Sequence, residues 1–101
     1  MSEHVHTHFF QFVQDASRAM KHGDFALAAR LYTDAIILDP ANHVLYSNRS
    51  AAHLRLNQWD EALHDARKCK QMKPDWSKVR YDFFRRFLLV GSNEAKVRFW
   101  S

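Results

Sequence analysis

Seven histidines and one cysteine are the residues in this sequence best suited to metal binding or nucleophilic chemistry. His4, His6 and His8 alternate, so in an extended segment they would share one face, as zinc or copper ligands can. No cysteine or carboxylate stands at a spacing that would complete such a site. We therefore interpret residues 1–8 as a mobile polar N-terminus, and we predict no metal site and no cofactor.

The other candidates for catalysis do not form a pattern typical of enzymes. His22, His43, His53 and His64 are scattered, and none is paired with a nucleophile. The sequence also lacks a glycine-rich phosphate loop. Cys69 occupies a small-residue position in a periodic helix, which favours an inert, buried thiol. We predict a non-enzymatic protein with no catalytic residues.

Asn48 indicates a different kind of chemistry. It lies in the helix-forming stretch LDPANHVLYSNRSAAH, residues 38–53, just before the small residues Ser50, Ala51 and Ala52. Small residues allow neighbouring helices to pack at short distance, whereas a polar residue on the same helix can face a partner. A carboxamide can donate hydrogen bonds to a carboxylate or to a peptide backbone. Asn48 is therefore a candidate for contact with a partner.

The stretch around Asn48 belongs to an internal repeat. Pro40 and Pro74 end two apolar-periodic segments and stand 34 residues apart. The same shift aligns Phe12 with Tyr46, Ala16 with Ser50, Phe25 with Trp59, Ala28 with Ala62 and Ala35 with Cys69. A period of 34 residues with a turn in its middle predicts a helix–turn–helix repeat.

The helices needed for this repeat can be placed from local signals. We expect helices near residues 7–22, 25–38, 42–56 and 59–72, and a further helix from about residue 76. Gly23 and Asn57 fit the turns within each repeat, because both residue types accept the left-handed geometry of a helix end. Pro40 and Pro74 should end the second helices, because proline cannot continue the hydrogen-bond ladder.

The pattern resembles the tetratricopeptide repeat family from residue 9 to about 79. The residues that carry the resemblance are Ala16, Ala19, Gly23, Phe25, Ala28, Tyr32, Ala35 and Pro40 in the first unit, and Tyr46, Ser50, Asn57, Trp59, Ala62, Cys69 and Pro74 in the second. The resemblance implies an all-α solenoid forming one domain over residues 9–101. Its parts would be repeat 1 at 9–42, repeat 2 at 43–76, and a partial third unit or capping helix at 77–101. Solenoids of this kind bind extended peptides on their concave side.

The stretches ANHVLYSNRSAAH and KPDWSK further resemble the chaperone-adaptor branch of that family. Domains of that branch hold the acidic C-terminal tails of heat-shock chaperones in a two-carboxylate clamp. Carried over by position, the resemblance places Asn48 and Lys78 at two of the five clamp positions. Val13, Ser17 and Asp82 occupy the positions that hold Lys, Asn and Arg in the clamp, so the clamp is degenerate.

Two further cations stand near the altered clamp positions. Lys21 is one turn beyond Ser17, and Arg85 is about one turn beyond Asp82. We therefore take Asn48, Lys78, Ser17 and Arg85 as the candidate peptide-binding residues. The implied function is a co-chaperone-like adaptor whose partner is a protein tail, either a chaperone C-terminus bound weakly or a different peptide.

The repeat pattern weakens after Lys78. Phe84 and Lys96 stand where small residues are expected, and residues 75–101 hold six Lys or Arg against three acidic residues. A helix that caps the open end of the stack is one interpretation. An altered end with exposed aromatic residues is the other, and it would favour a scaffold module that self-associates there. The excess of three positive charges is too small to predict a nucleic-acid partner.

Composition favours a cytoplasmic location. The single cysteine permits no internal disulfide framework, as expected in a reducing compartment. The N-terminus has neither the basic start nor the apolar core of a secretory signal. The apolar run at residues 87–90 is far too short to cross a bilayer, so no membrane span is predicted.

Overall fold

Four helices account for nearly all of the chain that the computed structural model describes, residues 3–75. They are α1 at Glu3–Lys21, α2 at Phe25–Leu38, α3 at His43–Arg55 and α4 at Trp59–Met72. Residues 3–75 contain no β-strand, so the predicted all-α fold is confirmed. The predicted fifth helix, the capping segment, Lys78 and Arg85 lie outside the described residues.

Helix α1 begins earlier than the sequence predicted. It starts at Glu3 and not near residue 7, since no glycine or proline interrupts residues 3–22. The backbone of residues 3–8 is therefore helical. The prediction of a shared face for His4, His6 and His8 assumed an extended segment, whereas the backbone here is helical. The mobility of residues 1–8 stays a prediction.

The two turns inside the repeats are built alike. Gly23 has φ +79° and Asn57 has φ +59°, the left-handed conformation predicted for both. After each of them a backbone N–H donates back across the helix end, from Asp24 to Ala19 O and from Gln58 to His53 O, both at 2.9 Å. This pattern satisfies the last carbonyls of α1 and α3 and reverses the chain.

The second helices also end as the prolines predicted. Helix α2 stops at Leu38 and α4 at Met72, in each case two residues before the proline. The N–H groups of the next residues, Asp39 and Lys73, donate to Ala35 O and Cys69 O at 3.0 and 2.9 Å. Short turns thus join antiparallel neighbours, and successive first helices run in the same direction.

Small side chains allow the helices to pack closely. Ala16, Ala28, Ala35, Ser50 and Ala62 are completely buried, as the repeat pattern predicted. The buried Ser50 hydroxyl donates to the Ala62 carbonyl at 2.7 Å, a hydrogen bond that connects α3 and α4. Helix α2 packs between α1 and α3, and α4 packs on α3. Cys69 is also buried, in agreement with its packing position.

Candidate functional site

One side of α1 and the equivalent side of α3 carry only exposed or half-buried residues, although Ala51 packs partly against α4 and Arg55 contacts the Phe25 ring of α2. We call this surface the A-helix face, formed by Phe10, Gln14, Ser17 and Lys21 of α1 and by Val44, Asn48, Ala51 and Arg55 of α3. All eight residues are exposed or half-buried. The two sets are related by the 34-residue repeat, and each follows the spacing of one helical face. The face is therefore a regular feature of the fold.

Asn48 and Ser17, two of the predicted binding residues, both lie on the A-helix face. Asn48 is half-buried in the middle of α3, and Ser17 is exposed in the second half of α1. Ser17 is one repeat away from Ala51 and not from Asn48, so the two polar groups stand one turn out of register along their helices. The clamp position of Val13 is half-buried and packs against the core.

The A-helix face changes character along the helices. Phe10 and Val44 occupy equivalent positions at its amino end and are exposed to 61% and 37%. Lys21 and Arg55 occupy equivalent positions at its carboxyl end and are also exposed. The Arg55 guanidinium carbon lies 4.4 Å from the centre of the Phe25 ring, a cation–π contact that restricts the side chain.

Arg49 forms a second polar feature, on the side of α3 that faces α4. Its Nε and Nη2 donate to the two carboxylate oxygens of Asp65, both at 2.7 Å. Its Nη1 donates to the Thr33 hydroxyl of α2 at 3.1 Å. The Asp65 side chain is only 2% exposed and that of Arg49 is 17% exposed. These bonds therefore connect α2, α3 and α4 through one guanidinium.

The electrostatics of this pair are dominated by its hydrogen bonds. The bonds to Asp65 raise the pKa of Arg49 above its ordinary value, and the raising outweighs the opposing effect of burial. His53 extends the network, with Nδ1 2.7 Å from Gln58 Oε1 and Nε2 3.7 Å from Asp65 Oδ2. Each polar group of this network thus has a polar neighbour, as a structural role requires.

Sequence reasoning missed this pair. In the first repeat the equivalent positions hold Asp15 and Leu31, so the pair has no counterpart one repeat earlier. The available signal was Asp65 itself, which stands on the same helical face as Ala62 and Cys69, both buried. A carboxylate at such a position needs a cationic partner.

A cavity lies beside each intra-repeat contact, at equivalent places in the two repeats. The cavity between α3 and α4 measures about 420 Å³, and its lining consists of Arg49, His53, Asp60, Glu61, His64 and Asp65. The one between α1 and α2 measures about 430 Å³, and its lining includes Asp15, Ala19, Leu27, Arg30 and Leu31. Both lie on the side of the first helices that faces the second helices.

A metal site and a membrane span each place specific requirements on the described part of the chain. Among residues 7–75, whose side chains the structure describes, no group of three or more His, Cys, Asp or Glu is placed to bind a metal ion. None of the described helices combines the length and the apolar character needed to cross a bilayer.

Similarity to known proteins fits this geometry. No protein-family model matches the chain. The chain is 42% identical over 73 residues, 72% of its length, to human tetratricopeptide repeat protein 28. It superposes on the solved tetratricopeptide-repeat domain of Arabidopsis OM64 with a TM-score of 0.64 and 25% identity, over 91% of this chain and 89% of that one.

The described helices form a tetratricopeptide-repeat domain. This domain is also 60% identical over 60 residues, 59% of the chain, to Hsp70-Hsp90 organizing protein 2 of Arabidopsis thaliana. The predicted resemblance to the chaperone-adaptor branch is thereby confirmed. The chain spans a tenth or less of the length of these two relatives, 10% of the Arabidopsis protein and 3% of the human one.

Proposed function

We propose that this tetratricopeptide-repeat domain is a non-enzymatic, co-chaperone-like adaptor that binds the extended C-terminal tail of a partner protein on its A-helix face. The proposed partner is an Hsp70 or Hsp90 chaperone, because the Arabidopsis relative that shares 60% identity over 60 residues is named as an organizer of these two proteins. Asn48, Lys78, Ser17 and Arg85 are the proposed contacts. The proposed location is the cytoplasm.

The observation that carries this proposal is the position of Asn48. Its carboxamide is half-buried on the A-helix face, between the exposed Val44 and the half-buried Ala51. The NH₂ group of a side-chain amide can donate to a carboxylate or a main-chain carbonyl. The neighbouring Ala51 has a small side chain that is partly buried against Leu54, Ala62 and Ala66.

The degenerate clamp supports weak binding. Val13 packs against the core and presents no charge, and Ser17 is too short to replace an amide. A charge-assisted hydrogen bond contributes about 1.5–3 kcal/mol, and 1.4 kcal/mol is about tenfold in affinity. Losing two such contacts and gaining the charge of Asp82 weakens the affinity by about 10³-fold compared with an intact clamp.

A peptide titration tests the proposal. The full chain is titrated with an acidic peptide that ends in a free carboxylate, and with the same peptide amidated at its C-terminus. We expect the free acid to bind and the amide to bind at least about tenfold more weakly, because one charge-assisted contact is lost. Equal binding of both forms would refute carboxylate recognition.

Variants locate the contact on the protein. Pull-down of a chaperone by the full chain should fall with Asn48→Ala and with Lys78→Ala. The matched control is Gln71→Ala, which removes an exposed carboxamide from α4. Capture that is unchanged by Asn48→Ala, together with self-association of the purified chain, would favour the scaffold function through residues 77–101 instead.

A further inference from the structure

The A-helix face has an apolar end and a cationic end. Phe10 and Val44 stand at equivalent positions on α1 and α3, and Lys21 and Arg55 stand eleven residues further along each helix. Because both helices run in the same direction, the two apolar side chains lie at one end of the face and the two cations at the other. The middle of the face carries the neutral polar groups of Ser17 and Asn48.

The apolar end of the face is exposed in both repeats. Helix α1 buries Ala16 and Ala19 and partly covers Phe9, yet the adjacent Phe10 remains 61% exposed. A large apolar side chain held in water favours contact with a partner. Val44 stands at the equivalent position one repeat later and is 37% exposed, so the feature recurs in the second repeat.

The cationic end determines the charge of the partner. Lys21 and Arg55 are both exposed there, and no acidic residue belongs to the A-helix face. The Phe25 ring restricts Arg55 by its cation–π contact, so less side-chain entropy is lost when Arg55 binds an anion. Charge complementarity therefore favours an acidic group at this end.

The spacing between the two ends determines the length of the ligand. Eleven helical residues rise by about 16 Å, at about 1.5 Å per residue. An extended peptide advances by about 3.3 Å per residue, so about five residues cover the same distance. We propose that the A-helix face selects an extended segment whose aliphatic or aromatic anchor lies about five residues from an acidic group.

This inference rests on the proposed function, because it specifies the class of peptide that the same face takes. It differs from the clamp in two respects: the anchor is an apolar contact with Phe10 and Val44, and the anion is held by Lys21 and Arg55. Neither contact depends on Lys78 or Arg85.

Fluorescence anisotropy with synthetic peptides tests the spacing. The reference peptide carries a leucine and an Asp-Asp pair separated by four Gly and Ser residues, so that the first Asp is the fifth residue after the leucine. Comparison peptides shorten the spacer to one residue or replace the leucine by serine. We expect the reference peptide to bind about tenfold more tightly than either comparison peptide, because burial of a leucine side chain contributes enough free energy for at least a tenfold difference in affinity. The short-spacer peptide loses this contribution because its leucine and its Asp-Asp pair cannot reach both ends of the face at once. Equal affinities for the three peptides would overturn the proposal.

Exposed apolar residues provide matched protein variants. Phe10→Ser combined with Val44→Ser should abolish the advantage of leucine, and Lys21→Gln should weaken binding of all acidic peptides. The control is Ile37→Ser, which changes an apolar side chain of α2 that is 72% exposed and lies off the face. An equal loss with the control would contradict the proposal.

The outcomes separate this inference from the proposed function. If the chaperone tail binds in an Asn48-dependent manner but spacing has no effect, only the present inference fails. If the spaced peptide binds through Phe10 and Val44 but the chaperone tail does not bind, only the chaperone proposal fails.

Discussion

Two parallel hydrogen bonds of 2.7 Å join the guanidinium of Arg49 to the carboxylate of Asp65, across the contact between α3 and α4. Asp65 is almost completely buried, so its charge depends on this one guanidinium and on His53 at a longer distance. Arg49 also donates to the Thr33 hydroxyl, so it is a polar link between the two repeats. Substitution of Arg49 should therefore lower the free energy of unfolding of the domain.

Replacing Arg49 with methionine should destabilise the domain strongly. The variant keeps a long side chain but leaves Asp65 buried without its partner, which costs about 3–5 kcal/mol. Urea unfolding of the full chain measures the loss. The double variant Arg49→Met with Asp65→Leu should recover most of it, because a well-packed apolar pair can replace a buried ion pair.

The control for this prediction is Arg18→Met. Arg18 forms an ion pair with Asp15 at 3.4 Å, but its side chain is 66% exposed. Exposed ion pairs contribute less than about 1 kcal/mol to the free energy of unfolding. The urea midpoint of Arg18→Met should therefore differ little from that of the unchanged protein. Similar losses for Arg18→Met and Arg49→Met would show that burial of Asp65 is not the decisive factor.

Enlarging the small residues between the helices should force them apart. Ala62 is completely buried and its carbonyl accepts the Ser50 hydroxyl at 2.7 Å, so Ala62→Leu should destabilise the domain by about 1–3 kcal/mol. Ala26→Leu is the control, because Ala26 is exposed on α2 and both residue types favour helices. Thermal unfolding measures the melting temperatures of both variants. Equal melting temperatures for Ala62→Leu and Ala26→Leu would contradict the packing argument.

The intra-repeat turns should respond in opposite ways to substitution. Gly23 has φ +79° and nothing lies within 4 Å of a Cβ placed there, so Gly23→Ala adds backbone strain alone, about 1–2 kcal/mol. Asn57→Gly should be neutral or slightly stabilising, because glycine accepts φ +59° more readily than asparagine. Chemical denaturation measures the free energy of unfolding of both variants. An unchanged free energy for Gly23→Ala would exclude the strain argument.

Local signals explain why most of the fold could be predicted from the sequence. Glycine, asparagine and proline at 23, 57, 40 and 74 act within a few residues, and the observed ends of α2 and α4 coincide with the predicted ones. The start of α1 could not be placed, because residues 3–8 contain no residue that stops a helix.

Long-range contacts explain what the sequence did not reveal about the site. Arg49 and Asp65 lie 16 residues apart on different helices and have no equivalent in the first repeat. Neither a periodicity nor a motif pairs them. The A-helix face was predicted only through Asn48 and Ser17, whereas the exposure of Phe10 and Val44 depends on which side the second helices cover.

Restoring the clamp should increase affinity for an acidic tail. Ser17→Asn with Asp82→Arg supplies an amide and a cation at the positions that the family resemblance assigns, and Val13 is left unchanged because it packs against the core. We expect at least about tenfold tighter binding by isothermal calorimetry, since each charge-assisted contact contributes about 1.5–3 kcal/mol. The amidated peptide is the control and should gain less. Unchanged affinity for the free acid would exclude a clamp at these positions.

The most direct test of the A-helix face as the peptide site is an NMR titration that follows side-chain amide signals. On addition of the acidic tail peptide, we predict that the Asn48 carboxamide signals shift with saturation while those of Gln71 on α4 stay in place. Shifts confined to the cavity residues Asp60, Glu61 and His64, with Asn48 unchanged, would contradict peptide binding on this face.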